Sequence, residues 1–342
     1  MSQRHPERLL AIETSCDDTA AAVFEGRVLR SAVTQQQVVH EAYGGVVPEL
    51  ASRDHMVHIG PVVQQALREA GVAATDLGAV AVTGGPGLAG SLLVGLSYAK
   101  GMALALDVPF LSINHMEGHL FSILLDHPDT AFPWLALVVS GGHTQLVHVK
   151  GPFDYTVLGQ TRDDAAGEAF DKVGNLLGLP YPGGPAIDRL AQTGNANFAS
   201  FPRTHLPGYD WSFSGIKTAV RYYLQDAADA GRAEEMRAHQ ADLCASFQQA
   251  VIDMLVDPVR RAVRALGIQT VTVVGGVSAN QGLTQALAEL GHTEGFSVRW
   301  PQRRYATDNA AMIGMVAVLR RELGHTDPLN TGIRVQWPLG AR

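Results

Sequence analysis

The chain is poor in cysteine, in positive charge and in long apolar runs, and each shortage excludes a class of protein. It carries two cysteines, Cys16 and Cys244, in 342 residues. They lie far apart with no second thiol near either, which rules out a disulfide framework or a Cys-x-x-Cys metal site and fits a reducing compartment. No apolar run reaches about 18 residues, so no membrane span is expected. Residues 1–8 are polar and lead directly into an apolar strand pattern, so no signal peptide is expected and a cytoplasmic location is. Lys and Arg number 26 against 33 Asp and Glu, a net charge of -7. No chain-wide basic field grips phosphates, and a nucleic-acid role needs local patches or partners. Gly-x-x-x-x-Gly-Lys-Ser/Thr does not occur, so a Walker-type NTPase is not indicated.

What is abundant is glycine, 36 residues, in a chain that is 46% hydrophobic and long enough to bury a large core. Residues 9–14 are apolar, break into the polar turn Ser15-Cys16-Asp17-Asp18-Thr19, and resume at 20–24. The same shape returns at 135–139, Ser140-Gly141-Gly142-His143-Thr144 and 145–149, where Ala11 aligns with Ala136, Ser15 with Ser140 and Thr19 with Thr144. Helical periodicity follows at 54–70, a strand at 78–83, the turn Gly84-Gly85-Pro86-Gly87 and a helix at 91–105; a strand at 270–274, the turn 275–280 and a helix at 281–290 repeat that unit. Residues 201–217, rich in Pro, Gly and aromatics, read as an ordered irregular loop. Alternating strands and helices opening on a shared pattern predict an α/β fold of two similar lobes with a cleft between them. We place the lobes at 1–131 and 132–342, with the last helix free to pack back on the first. Glycine turns that follow strands bring backbone N–H groups close to phosphate oxygens, so a nucleotide is the expected ligand.

The strongest chemical signal is His115-Met116-Glu117-Gly118-His119. Two imidazoles at i and i+4 share one helix face and can grip one cation. In a zinc peptidase the glutamate directly follows the first histidine; here it stands one place later, so a peptidase base would point the wrong way. Cys16 reads as a packed thiol, since nothing supplies it with a base. His143 either touches substrate or is satisfied by backbone. Arg260, Arg261 and Arg264 at helical spacing, Arg303 and Arg304, and Lys217 are the candidates for RNA phosphate contacts.

The segments Glu13-Thr14-Ser15-Cys16-Asp17-Asp18-Thr19, 45–53, 84–88, 114–119, 139–144, 171–173, 181–185, 213–218, 275–280 and 306–309 together resemble the tRNA N6-adenosine threonylcarbamoyltransferase (TsaD) family over essentially the whole chain. That resemblance implies the actin, hexokinase and Hsp70 (ribonuclease H-like) fold. It implies transfer of the threonylcarbamoyl group of L-threonylcarbamoyladenylate to the N6 amine of the adenosine beside the anticodon, in tRNAs reading codons that begin with A, with release of AMP. Carried over by position, the implied metal ligands are His115, His119 and Asp308, and the implied substrate-binding residues are Val138, Val139, Ser140, Gly141, Gly142, Asp171, Gly184, Asp188 and Asn280. Two imidazoles and a carboxylate suit one divalent ion, iron(II) by preference or zinc. Archaeal members place a tyrosine where Val138 stands, so no fourth ligand comes from that position. Read without the family, Asp171 and Asp188 are surface acids or helix caps and Asn280 a plain N-cap. Implied partners are tRNA, a TsaB-like paralogue meeting the N-terminal lobe at 54–70 and 95–105, and a TsaE-like ATPase, with no membrane. A metal-dependent peptidase, and an ATP-dependent kinase or chaperone-like module of the same fold, are the alternatives.

Overall fold

Runs of small and β-branched residues buried on both faces make the centre of each of two five-stranded sheets in a computed structural model, which describes His5, residues 7–43 and residues 45–341. The polar start at residues 1–4 and 6 lies outside the described residues. The chain divides into two compact units, residues 1–130 with 307–342, and residues 131–306.

In the first unit, β1 (Arg8–Glu13), β2 (Asp18–Glu25) and β3 (Val28–Gln36) form an antiparallel meander. Helix α1 (Pro48–Ala70) begins earlier than periodicity alone predicts, because proline suits the first helical position, and it ends at Gly71 in the left-handed region. Strand β4 (Ala79–Gly85) joins β1 in parallel, α2 (Ala89–Leu106) crosses over, and β5 (Phe110–Asn114) joins β4 in parallel before α3 (His115–Phe121). The sheet order is β3-β2-β1-β4-β5. By length and mean hydropathy, 1.4, α2 is apolar enough to cross a membrane. One face, with Leu92, Leu96, Ala99 and Ala103, is buried, and its Lys100 ammonium donates to the Thr331 carbonyl. That pattern is the one a core helix over a sheet adopts.

The second unit repeats the plan. Strands β6 (Trp134–Val139), β7 (Thr144–Gly151) and β8 (Asp154–Gln160) are antiparallel, followed by α4 (Ala166–Leu176), α5 (Gly183–Ala191), α6 (Ser214–Asp229), α7 (Ala233–Ala238) and α8 (Gln240–Leu266). Strand β9 (Thr270–Val274) joins β6 in parallel, α9 (Gln281–Glu294) crosses, and β10 (Ser297–Arg299) joins β9, giving the order β10-β9-β6-β7-β8. The expected loop 201–217 is irregular only to Phe213. Helix α6 starts at Ser214 because the Asp163 carboxylate accepts from the Phe213 and Ser214 N–H groups, a cap supplied from about 50 residues away and invisible to local patterning. After the short α10 (Arg303–Ala306), α11 (Ala310–Glu322) packs on β1, β2 and α3 of the first unit.

Candidate functional site

Helix α3 has only seven residues, and Asn114 holds its first turn by accepting from the Met116 and Glu117 N–H groups at 2.8 and 3.3 Å. His115 and His119 stand one turn apart with rings perpendicular and centroids 4.8 Å from each other. Asp308 arrives from far along the chain, just ahead of α11, whose first turn is capped by the Asn309 side chain. Its Oδ1 lies 3.4 Å from His115 Nε2 and 3.1 Å from His119 Nε2. One ligand atom from each of the three residues falls within 4.8 Å of the others. Gly118 lets α11 come close: a Cβ there would sit 2.9 Å from Ile313 Cδ1 and 3.1 Å from Met312 Cγ. The glycine between the histidines thus sets the distance at which Asp308 is delivered.

The surroundings orient the ligands. Glu13, buried at the end of β1, accepts from His115 Nδ1 at 3.0 Å, from Thr83 Oγ1 at 2.6 Å and from the Ser15 N–H. A carboxylate behind Nδ1 leaves Nε2 as the metal-facing nitrogen, the arrangement common behind metal-binding histidines. His119 is buried with no hydrogen-bond partner for Nδ1 among the described residues, and its Nε2 faces only the Asp308 carboxylate at 3.1 Å. Such a ring is costly in a core unless it has a ligand, so the donor set fits a cation. Charge agrees. Burial works against a charged His115, but Asp308 and Glu13 outweigh it and push the imidazole well above its usual range. Burial likewise opposes charge on Asp308, yet the two imidazoles hold it well below the usual carboxylate range. The pocket favours positive charge where a divalent ion would sit. Glu117 is turned away: its Oε2 lies 3.4 Å from Arg320 Nη2 on α11. Neither Glu13 nor Ser15 is marked by spacing to the histidines; only the return of β1 beside β4 brings them in.

In the second unit, β6 ends in the turn of Val138, Val139, Ser140, Gly141 and Gly142. Ser140 N–H donates to the His143 carbonyl at 2.8 Å, and Ser140 Oγ accepts from the His143 N–H at 3.1 Å, so that turn is closed by its own backbone. Gly141 and Gly142 face open space, with nothing among the described residues within 4 Å of where a Cβ would stand. Asp171 Oδ1 accepts from the Gly183 and Gly184 N–H groups at 2.8 and 3.3 Å and so caps α5. Burial nevertheless raises its pKa. Asp188 accepts from Gln248 Nε2 at 3.2 Å and from the Gln281 N–H at 3.1 Å. Asn280 caps α9 through the Leu283 N–H at 2.9 Å and donates to Gln248 Oε1 at 2.7 Å. Asp188 and Asn280 therefore share the buried Gln248 as a junction, a residue that no sequence pattern singles out.

The structure bears on three other expectations. The turn Gly84-Gly85-Pro86-Gly87, grouped with the phosphate-approaching turns, is filled by the chain itself, since Arg334 N–H donates to the Gly84 carbonyl at 2.8 Å. Of the cationic candidates, Arg260 and Arg261 pair with Asp257, Arg264 with Glu294 and Lys217 with Asp164. Arg303 and Arg304 are exposed and make no ion pair among the described residues, Arg304 lying over the Tyr305 ring at 4.6 Å. Burial first, then Asp17, Asp308 and Glu13, push the Cys16 thiol up, which removes it as a nucleophile at neutral pH.

The family model for TsaD, tRNA N6-adenosine threonylcarbamoyltransferase, matches residues 27–315. A relative of that description from Salinibacter ruber is 56% identical over 321 residues, 94% of this chain and 96% of its own length. One from Syntrophotalea carbinolica is 50% identical over 335 residues, 97% and 96% of the two chains. Among solved structures, HypF of T. kodakarensis superposes with a TM-score of 0.62 at 13% identity, over 92% of this chain and 48% of its own. Component A of the Acidaminococcus fermentans (R)-2-hydroxyglutaryl-CoA dehydratase does so at 0.52 and 13%, over 92% and 99%. Such low identities speak for the fold alone, which is of the actin and hexokinase type.

Proposed function

The chain belongs to the tRNA N6-adenosine threonylcarbamoyltransferase family, and from that premise we propose how its residues divide the work. It is an acyltransferase of tRNA modification. The peptidase reading is not favoured, because the only glutamate inside the histidine pair is committed to Arg320. The kinase or chaperone-like reading is not favoured by the relatives' descriptions.

The donor in this reading is L-threonylcarbamoyladenylate. The adenosine N6 amine beside the anticodon, in tRNAs reading codons that begin with A, attacks the carbamoyl carbon. An N–C bond forms, the C–O bond to phosphate breaks, AMP leaves, and the amine proton passes to water or to a substrate group. His115, His119 and Asp308 would hold one divalent cation, iron(II) by preference or zinc. When bound, that ion supplies Lewis-acid polarisation and an anchor for acyl oxygens. Glu13 keeps His115 turned so that Nε2 faces the ion, and Gly118 lets Asp308 approach. Val138 and Val139 carry the turn whose Ser140, Gly141 and Gly142 take the adenylate phosphate through backbone groups; the open space at both glycines supports this. Asp171 spends Oδ1 on Gly183 and Gly184 and presents Oδ2 to a ribose hydroxyl. Asp188 and Asn280, engaged through Gln248 and α9, shape that pocket.

Arg303 and Arg304 carry the tRNA contact, being uncommitted cations on an acidic chain. Reversing both to Glu should weaken tRNA binding and lower the slope of log affinity against log salt by about two, roughly one per lost phosphate contact, and an unchanged slope would remove them. A TsaB-like paralogue fits the exposed apolar side chains Met56 and Val57 of α1 and Leu104 of α2. A TsaE-like ATPase completes the set, and the cytoplasm is the location consistent with tRNA as substrate. The observation that carries the metal-assisted reading is the meeting of His115, His119 and Asp308. Its test is nucleoside mass spectrometry of tRNA after incubation with the chain, partners, threonine, bicarbonate and ATP. Threonylcarbamoyladenosine should form, and should be lost in Asp308→Ala; formation undiminished in that variant overturns the metal-assisted reading.

A further inference from the structure

We propose that the C-terminal segment, residues 334–341, is a brace that positions the metal ligands, with Asn114 as its positioning residue. The inference rests on the reading that His115, His119 and Asp308 bind a divalent cation.

The brace fills the glycine turn after β4. Arg334 N–H donates to the Gly84 carbonyl at 2.8 Å, and Gly87 N–H donates to the Val335 carbonyl at 3.3 Å. The fit leaves no room for a side chain: a Cβ on Gly85 would stand 1.8 Å from the Arg334 carbonyl oxygen, and the φ of Gly85, +149°, is one that L side chains rarely adopt. The topologically equivalent turn after β9 begins the 275–280 segment and is likewise packed by backbone, a Cβ on Gly275 standing 2.4 Å from the Val139 carbonyl oxygen; in the first unit it is the C-terminal segment that plays this part.

Two routes lead from the brace to the histidines. On the first, Asn114 Nδ2 donates to the Trp337 carbonyl at 3.0 Å, while Asn114 Oδ1 accepts from the Met116 and Glu117 N–H groups. The amide is therefore fixed at both ends, its orientation set by two N–H donors on one side and a carbonyl on the other. Because α3 is so short, turning its cap turns the helix that carries both ligands. On the second, Gly87 packs against Ser15, whose carbonyl accepts from the Leu88 N–H at 2.8 Å and whose Oγ lies 3.1 Å from His115 Nδ1. The brace itself is anchored by Trp337: the ring is buried, its Nε1 donates to the Ala341 carbonyl at 2.8 Å, and the Arg334 guanidinium lies over it at 4.5 Å. A metal site needs its ligands held to about 0.5 Å, and nothing in α3 alone can do that for a seven-residue helix.

Cobalt(II) added to the full chain, read by its visible absorption and by competition with a chelator, tests the idea without any assay of activity. Asn114→Asp keeps the acceptor that caps α3, removes the donor and sets a carboxylate against the Trp337 carbonyl. It should weaken cobalt binding about tenfold and alter the absorption bands, as losing a group that orients a ligand does. Trp337→Ala should do the same with circular dichroism unchanged; if that variant fails to fold, Asn114→Asp decides. His119→Ala separates the two claims. Cobalt binding unaffected by His119→Ala would refute the metal reading beneath the proposal. Binding lost in His119→Ala but unchanged in affinity and spectrum in Asn114→Asp would overturn the brace.

Discussion

The two units share one five-strand plan and use the ends of their strands in opposite ways. Where β1 and β5 end, the first unit gathers charge: Glu13, His115 and His119, joined by Asp308, with His119 Nδ1 lacking a hydrogen-bond partner among the described residues and Nε2 facing only the Asp308 carboxylate. Where β6 and β9 end, the second unit has glycine turns, and Asp188, Gln248 and Asn280 satisfy one another. One scaffold therefore supports a pocket that needs a foreign cation to complete its bonding and a pocket whose Asp188, Gln248 and Asn280 are engaged with one another before any ligand arrives. A ligand of the second kind must be taken largely through backbone groups and open space.

The sharpest way to break this contrast is His119→Ala. We expect metal affinity to fall at least about a hundredfold, near 3 kcal/mol, with activity falling alongside, while AMP affinity measured calorimetrically stays put. Loss of AMP binding in the same variant would show that the two sites are not separable. Gln248→Leu probes the self-satisfied pocket from the other side, stranding Asp188 Oδ1 and Asn280 Nδ2 in the interior. Two orphaned groups should cost about 2 kcal/mol of stability, seen as a lower Tm, with cobalt affinity untouched. A Tm equal to the parent's would mean that Gln248 is not the junction its contacts describe.

Gly142→Val sharpens the contrast at the turn itself. Since no atom lies within 4 Å of the missing Cβ, folding should be almost unaffected, while AMP affinity drops about tenfold, or 1.4 kcal/mol. Equal AMP affinity would take the phosphate away from this turn. The smallest effect concerns pH. Burial, then the carboxylates of Asp308, Asp17 and Glu13, push Asp18 up to about 7. A carboxyl raised in the fold contributes stability that is present below its unfolded value and lost as pH rises through about 7. In chelator-treated protein, Asp18→Asn should therefore be more stable than the parent by about 1 kcal/mol at pH 8, discounted for partial exposure, with no gap near pH 4. Denaturation midpoints at the two pH values measure this; a gap of the same size at both would assign the effect to packing.

Much of the fold is written in local pattern. Apolar runs broken by glycine mark β4, β6 and β9 because a strand buried on both faces needs near-continuous apolar sequence. The repeat of strand, polar turn and strand identifies the matching openings of the units for the same reason. The histidine pair is legible because i and i+4 face one way on any helix. Family motifs point to Asp308, but no spacing does.

Local pattern could not reveal contacts made across long stretches of chain. The arginines at 260, 261 and 264 look available until Asp257 and Glu294 meet them, and the Gly84-Gly85-Pro86-Gly87 turn looks like a phosphate site until Arg334 and Val335 occupy it. Each answer depends on which strand lies beside which, and sheet order is a non-local outcome of packing. The residue types and their helical or extended spacing were thus determined by the sequence itself. Which charges are spent on the protein and which are left for a ligand was decided only by the tertiary structure, because an ion pair or a hydrogen bond reads distance in space and not along the chain.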